Sequence, residues 1–200
     1  MEKFHEDVYR FIYAMIMSPE VKKKVNTLMN ELGSRFFECQ AAKKYHQDYE
    51  GGLADHVALV VLDAYHTAVS KPWMKLDTDD VIVAALFHDL DKIGNPWNGN
   101  ENHGPMVARD DIGVVEFLEK FGLRNPNIQD GIILAHGGWS KAKGVEHPPI
   151  AICVHGADML ASHATKTEKD TREKINRIMK VVLKRLDREV AKHAIKVTAR

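Results

Sequence analysis

Seven apolar residues in succession, Val81-Ile82-Val83-Ala84-Ala85-Leu86-Phe87, run without a break into His88-Asp89. A helix built from such a run has no polar face, so other elements must surround it on every side. The run follows Asp77-Thr78-Asp79-Asp80, whose short acidic side chains suit the first free N–H groups of a helix. We therefore read a buried helix over residues 79–90. Its far end carries an imidazole beside a carboxylate. A carboxylate in apolar surroundings is costly unless it is paired or bound to a metal. Whatever fold this chain adopts must bring partners to His88 and Asp89.

Those partners have to come from other helices. Phe4, Val8, Phe11, Ile12 and Met15 recur at helical spacing, and Ser18-Pro19 starts a second helix through Val25, Leu28 and Leu32 that Gly33 stops. Residues 34–51 are mixed in character; Gly51-Gly52 then opens a helix with Leu53, Val57, Val60, Val61 and Ala64 on its inner side. After the turn-rich loop Asn95 to Asn102, helices are expected over 104–121, 126–136 and 150–163, the last started by Pro148-Pro149. A final amphipathic helix over about 168–195 sets Ile175, Ile178, Val182, Leu186 and Val190 on one stripe. No segment shows a clear period of two. The expected fold class is all-α, a single domain over residues 1–200 with its core at about 31–165 and an amphipathic helix in 166–200.

Charge and cysteine usage narrow the function classes. Lys plus Arg and Asp plus Glu number 28 each, so there is no net charge to draw in a long nucleic acid or a membrane surface. The two cysteines, Cys39 and Cys153, form no CxxC pair, which argues against a disulfide framework and for a reducing, cytoplasmic setting. The N-terminal MEKFHEDVYRF lacks the apolar centre of a signal peptide, and no apolar run reaches the length of a membrane span. Histidine stands out, with 11 copies, and it is the commonest metal ligand.

Several ionisable residues fall at or near the ends of apolar helical runs: His56 in GGLADHVALVV, His88-Asp89, His136 in IILAHGG, and Asp158 in IAICVHGADMLAS. His103 follows the loop at the start of the next expected helix. Any one of these alone reads as a satisfied core histidine or a helix cap. Together, imidazoles and carboxylates without thiolates make a ligand set for Mn, Fe, Co, Ni, Zn or Mg. One divalent metal takes His56, His88, Asp89 and Asp158; Asp89 can bridge to a second, for which His103 and His136 are the candidates. Two adjacent metals can activate water and clamp a phosphate.

These residues resemble a known family. His56, His88-Asp89 and Asp158 look like the H…HD…D signature of the HD-domain metal-dependent phosphohydrolases. The stretch ELGSRFFECQAAKKYHQDYEGGLADHVALVV is similar to the HD domain of the YhaM-type 3′–5′ exoribonucleases, with AALFHDLDKIG, ILAHGG and PPIAICVHGADMLAS resembling their later motifs in order. The resemblance covers roughly residues 31 to 165 and implies an HD-type helical bundle. It implies metal ligation by His56, His88, Asp89 and Asp158, with HGPMVA making His103 a second-metal ligand beside His136. Lys92, at the Lys of HDxxK, would offer a cation to a substrate phosphate. The chain departs from the family in having Asp91 for the usual Gly, His136-Gly137 for a His pair, and His46-Gln47 for another. It also lacks the OB-fold of the exoribonucleases and any GYP motif.

The expected function is a metal-dependent phosphohydrolase that cleaves a phosphoester of a nucleotide or short oligonucleotide, using one or two divalent metals. Asp89, Lys92 and His136 are the expected catalytic groups; Lys92, His46 and Trp139 are expected to contact substrate. His155, three residues before Asp158, reads as a partner to a ligand or as core. Two alternatives stay open: a di-iron oxygenase of the same fold acting on a small organic substrate, and a 3′–5′ exonuclease on single strands. The terminal helix packs on the core or on a second copy of the chain, which leaves a homo-oligomer open.

Overall fold

The computed structural model describes residues 2–137, 146–164 and 167–198, of which 164 and 188–198 are described by backbone alone. The helices are α1 (Lys3–Met15), α2 (Pro19–Leu32), α3 (Arg35–Glu38), α4 (Gly52–Ser70), α5 (Thr78–Phe87), α6 (Asp111–Glu119), α7 (Pro126–Ile133), α8 (Pro149–Ala164) and α9 (Glu168–Thr198). Short 3-10 turns link them, and no strand occurs among the described residues. The fold is all-α, as the periodicity predicts. No described helix is long and apolar enough to cross a membrane.

Local chemistry sets the starts of these helices. Ser18 accepts the Val21 N–H at the head of α2, and Asp77 accepts the Asp79 and Asp80 N–H groups at the head of α5. From Val81 to Phe87, α5 is buried at every position, packed by α4, α7 and α8. Helix α4 is the hub: residues 52–62 are all buried, and α5, α8, α9, α3 and α1 pack around it.

Two glycines set how closely neighbouring segments can approach. A Cβ on Gly52 would lie 2.0 Å from the Gln47 carbonyl oxygen, so only glycine lets the loop of residues 40–51 close against the start of α4. A Cβ on Gly131 would lie 2.7 Å from Ala84 Cβ, so glycine facing alanine lets α7 come close to α5.

The expected helix over 104–121 begins only at Asp111. Competing hydrogen bonds explain the difference. Arg35 Nε donates to the His103 carbonyl at 2.6 Å, and the Val107 N–H donates to the Ile93 carbonyl at 3.2 Å. Asp110, in extended geometry, then caps α6 by accepting the Gly113 N–H at 3.0 Å. Helix α7 likewise stops at Ile133, and Leu134 to His136 form a turn rather than a last helical turn.

Helix α9 packs on α4, with Ile175 and Val182 buried and Ile178 and Leu186 partly so. Val190 carries no described side chain. The attachment has a polar anchor. Asp55, fully buried, accepts hydrogen bonds from His5 Nε2 at 2.8 Å, the Tyr49 hydroxyl at 2.9 Å and Arg172 Nε at 3.2 Å. One carboxylate thus ties α1, α4, α9 and the loop between α3 and α4.

Candidate metal centre

Four elements deliver their ionisable residues to one place. His56 comes from the first turns of α4, His88 and Asp89 from the end of α5, Asp158 from α8, and His136 from the turn after α7. His56 Nε2 lies 3.3 Å from Asp89 Oδ2 and 3.1 Å from Asp158 Oδ1. His88 Nε2 lies 3.4 Å from Asp89 Oδ2 and 3.8 Å from Asp158 Oδ1. His136 Nε2 lies 3.1 Å from Asp89 Oδ1.

Donors held at about 2.1 Å from one cation stand roughly 3–4 Å from each other. The observed spacings fall in that range. In two groups, His56 with His88 and Asp158, and His88 with Asp89 and His136, the donor atoms all lie within 4.8 Å of one another. The second test is hydrogen bonding. The Nε2 atoms of His56 and His88 are buried and make no hydrogen bond, although carboxylate oxygens are near. His88 Nδ1 donates to the Ala85 carbonyl at 2.8 Å, which fixes the tautomer and leaves the Nε2 lone pair facing the cluster. Buried polar atoms are otherwise nearly always paired, so these orphaned nitrogens fit a divalent cation held by imidazole and carboxylate.

Electrostatics agree with that reading. Burial alone would raise the carboxyl groups of Asp89 and Asp158. The neighbouring groups outweigh it: the His88 imidazole and the Lys92 ammonium hold Asp89, and the imidazoles of His56 and His88 hold Asp158, well below the carboxylate range. Both are therefore ionised, the state a metal ligand needs. Burial disfavours the charged form of His136, but Asp111 and Asp89 together win and raise it well above the ordinary imidazole.

The remaining residues sort by position. Lys92, expected to meet phosphate, donates from Nζ to Asp89 Oδ2 at 2.6 Å. His46 stacks beside His56 with ring centroids 4.8 Å apart, and burial, with His56 and Lys92 near, lowers it to about 4. His103, expected beside His136, joins neither donor group: its Nδ1 faces Glu38 at 3.8 Å and its carbonyl is held by Arg35. The early bonds that delay α6 turn it away. Trp139 lies outside the described residues. His155 Nδ1 donates to the Ala135 carbonyl at 2.6 Å, and a Cβ on Gly137 would lie 2.7 Å from its ring. It braces the turn that carries His136.

Asp111 had no sequence signal for a role here, and Asp91 stood out only as a departure from the family pattern. Asp111 Oδ1 stands 3.3 Å from His136 Nδ1 and orients that ring. In sequence it is one more acid in a polar stretch, inside the helix expected over 104–121. Asp91 has a buried carboxylate oxygen with no hydrogen-bond partner, and burial together with nearby Asp89 raises it to about 6. Lys92 pairs with Asp89 and not with Asp91.

The centre opens into a cavity of about 310 Å³ lined by Asp91, Arg109, Asp110, Asp111, His136, Asp158 and Met159. A larger cavity, about 440 Å³, lies between α1 and α2 and is lined by Ile12, Ile16, Val25, Met29 and Phe37 among others. It carries none of the candidate ligand residues, so the smaller one is the candidate substrate site.

Residues 53–163 match the family model described as HD domain. No solved structure matches the chain significantly.

Proposed function

The chain belongs to the HD domain family, and from that premise we propose that it is a metal-dependent phosphohydrolase cleaving a phosphoester of a nucleotide or short oligonucleotide. The observation that carries this reading is the convergence of His56, His88 and Asp158, with two buried imidazole nitrogens lacking any other partner. A kinship with the YhaM-type exoribonucleases is part of the same reading and rests on the motif resemblance.

His56, His88, Asp89 and Asp158 would hold the first metal; Asp89 Oδ1 and His136 Nε2, side by side at 3.1 Å, would contribute to a second. A divalent ion bound there lowers the pKa of water and offsets phosphate charge. The protein's own groups divide the remaining work. Asp89 presents one oxygen to each side of the centre, so it sets the spacing of whatever is bound. Asp111 fixes the plane of His136 through Nδ1. Lys92 neutralises Asp89 by donating to Oδ2 and keeps a positive charge behind the centre. The buried run of α5 excludes water from behind the centre.

The test is metal analysis of protein purified without chelator, followed by a nucleotide and oligonucleotide panel with Mn²⁺. Release of phosphate or nucleoside is expected. His88→Ala and Asp89→Ala should each lose metal and activity together. Two bound irons with oxygen consumption would replace this reading with the di-iron oxygenase. Activity surviving His88→Ala would overturn the site assignment.

A further inference from the structure

The walls of the cavity pose an electrostatic problem for an enzyme that takes a phosphoester. Asp91, Asp110, Asp111 and Asp158 all line it, and the first of these has an unpaired buried oxygen. A phosphate entering over these carboxylates needs positive charge at the rim as well as at the floor. Lys92 does not line the cavity and is already engaged by Asp89. His136 is held between Asp89 and Asp111.

Among the described residues, Arg109 is the remaining cationic side chain of the lining. It is exposed and makes no hydrogen bond or ion pair among the described residues, although carboxylates surround it. Its backbone, by contrast, is tethered on both sides. The Val107 N–H donates to the Ile93 carbonyl at 3.2 Å, and Ala108 is buried. Asp110 caps α6, and Asp111 faces His136 at 3.3 Å. A free guanidinium on an anchored backbone, at the mouth of a metal centre, is placed to act on what enters. Its planar fork of N–H donors matches the paired oxygens of a phosphate better than a lysine ammonium does.

We propose that Arg109 anchors the substrate by donating two hydrogen bonds to non-bridging oxygens of its phosphate, opposite the metal centre. This rests on the phosphohydrolase reading. It makes Arg109 a substrate-binding residue and Asp111, two positions on, a positioning residue for His136.

The experiment is calorimetric titration of inorganic phosphate into metal-loaded protein, for wild type, Arg109→Ala and Arg109→Lys, with metal content and melting temperature measured on each. Arg109→Ala should bind phosphate about tenfold more weakly or worse, the scale of one charge-assisted contact. Arg109→Lys should recover only part of the loss. Metal content and melting temperature should match wild type in both. Undiminished phosphate binding in Arg109→Ala overturns the anchor alone and leaves the phosphohydrolase reading intact. Loss of metal or of folding in Arg109→Ala also overturns it, since the residue would then be structural. Failure of metal-loaded wild type to bind phosphate at all overturns the phosphohydrolase reading itself.

Discussion

Both oxygens of Asp89 are engaged, Oδ1 by His136 and Oδ2 by Lys92, while two imidazoles stand close to Oδ2 without bonding it. In the metal-free protein the pair of carboxylates at His136 keeps that imidazole charged. A raised folded pKa contributes stability that is complete below the unfolded value, about 6.5, and is lost as pH rises through the folded one. Metal-free protein should therefore melt at progressively lower temperature as pH climbs above 6.5, and Asp111→Asn should flatten that decline. Equal slopes in the two proteins would show that Asp111 does not hold the His136 proton. The sequence pointed to His88, Asp89 and His136 because polar groups there interrupt apolar runs. It offered no such contrast for Asp111, which sits in a polar stretch where an acid is expected for other reasons.

At the level of elements, the site depends on how closely helices approach. Gly131 faces Ala84, and that contact sets how near α7, and so His136, comes to the end of α5. Gly131→Ala places a Cβ 2.7 Å from Ala84 Cβ. It should destabilise by about 1–3 kcal/mol in urea unfolding and weaken metal binding, because α7 must move outward. Gly156→Ala, on α8, meets nothing within 4 Å. It should be neutral or stabilise by about 0.4–1 kcal/mol through the unfolded chain. Similar losses in both variants would mean that helix propensity, not the α5–α7 contact, decides. The apolar runs of α4 and α5 were legible because burial on all sides leaves one kind of residue. The start of α6 was not, because Arg35, far away in sequence, withdraws the His103 carbonyl from the helix.

Across the molecule, Asp55 does structural work next to a candidate metal ligand. It neighbours His56 on α4, yet its side chain meets His5, Tyr49 and Arg172 rather than the metal centre. Asp55→Ala leaves a buried imidazole, a hydroxyl and a guanidinium without their shared acceptor. Breaking a buried charged pair from one side costs about 3–5 kcal/mol; Arg172 is partly open to water, so the lower end of that range applies. The melting temperature should drop and amide exchange should quicken along α9, while metal bound per folded molecule stays unchanged. Loss of metal in proportion to the substitution would place Asp55 in the centre after all. Helix α9 packs on the core of its own chain through Ile175, Val182 and Arg172.

The sequence by itself determined the all-α class and most of its helices, the apolar run that has to be buried, and the short list of imidazoles and carboxylates that interrupt it. Those are local properties: periodicity, capping chemistry and the cost of burying charge act within a few residues of each other. Only the tertiary structure decided which members of the list meet. His136 arrives because Gly131 admits α7 to α5, and His103 turns away because Arg35 and Glu38 take it. Asp111 and Arg109 join because a cap and two anchoring contacts hold their backbone at the cavity mouth. Their positions come from contacts between residues far apart in the chain, and no local pattern encodes such contacts.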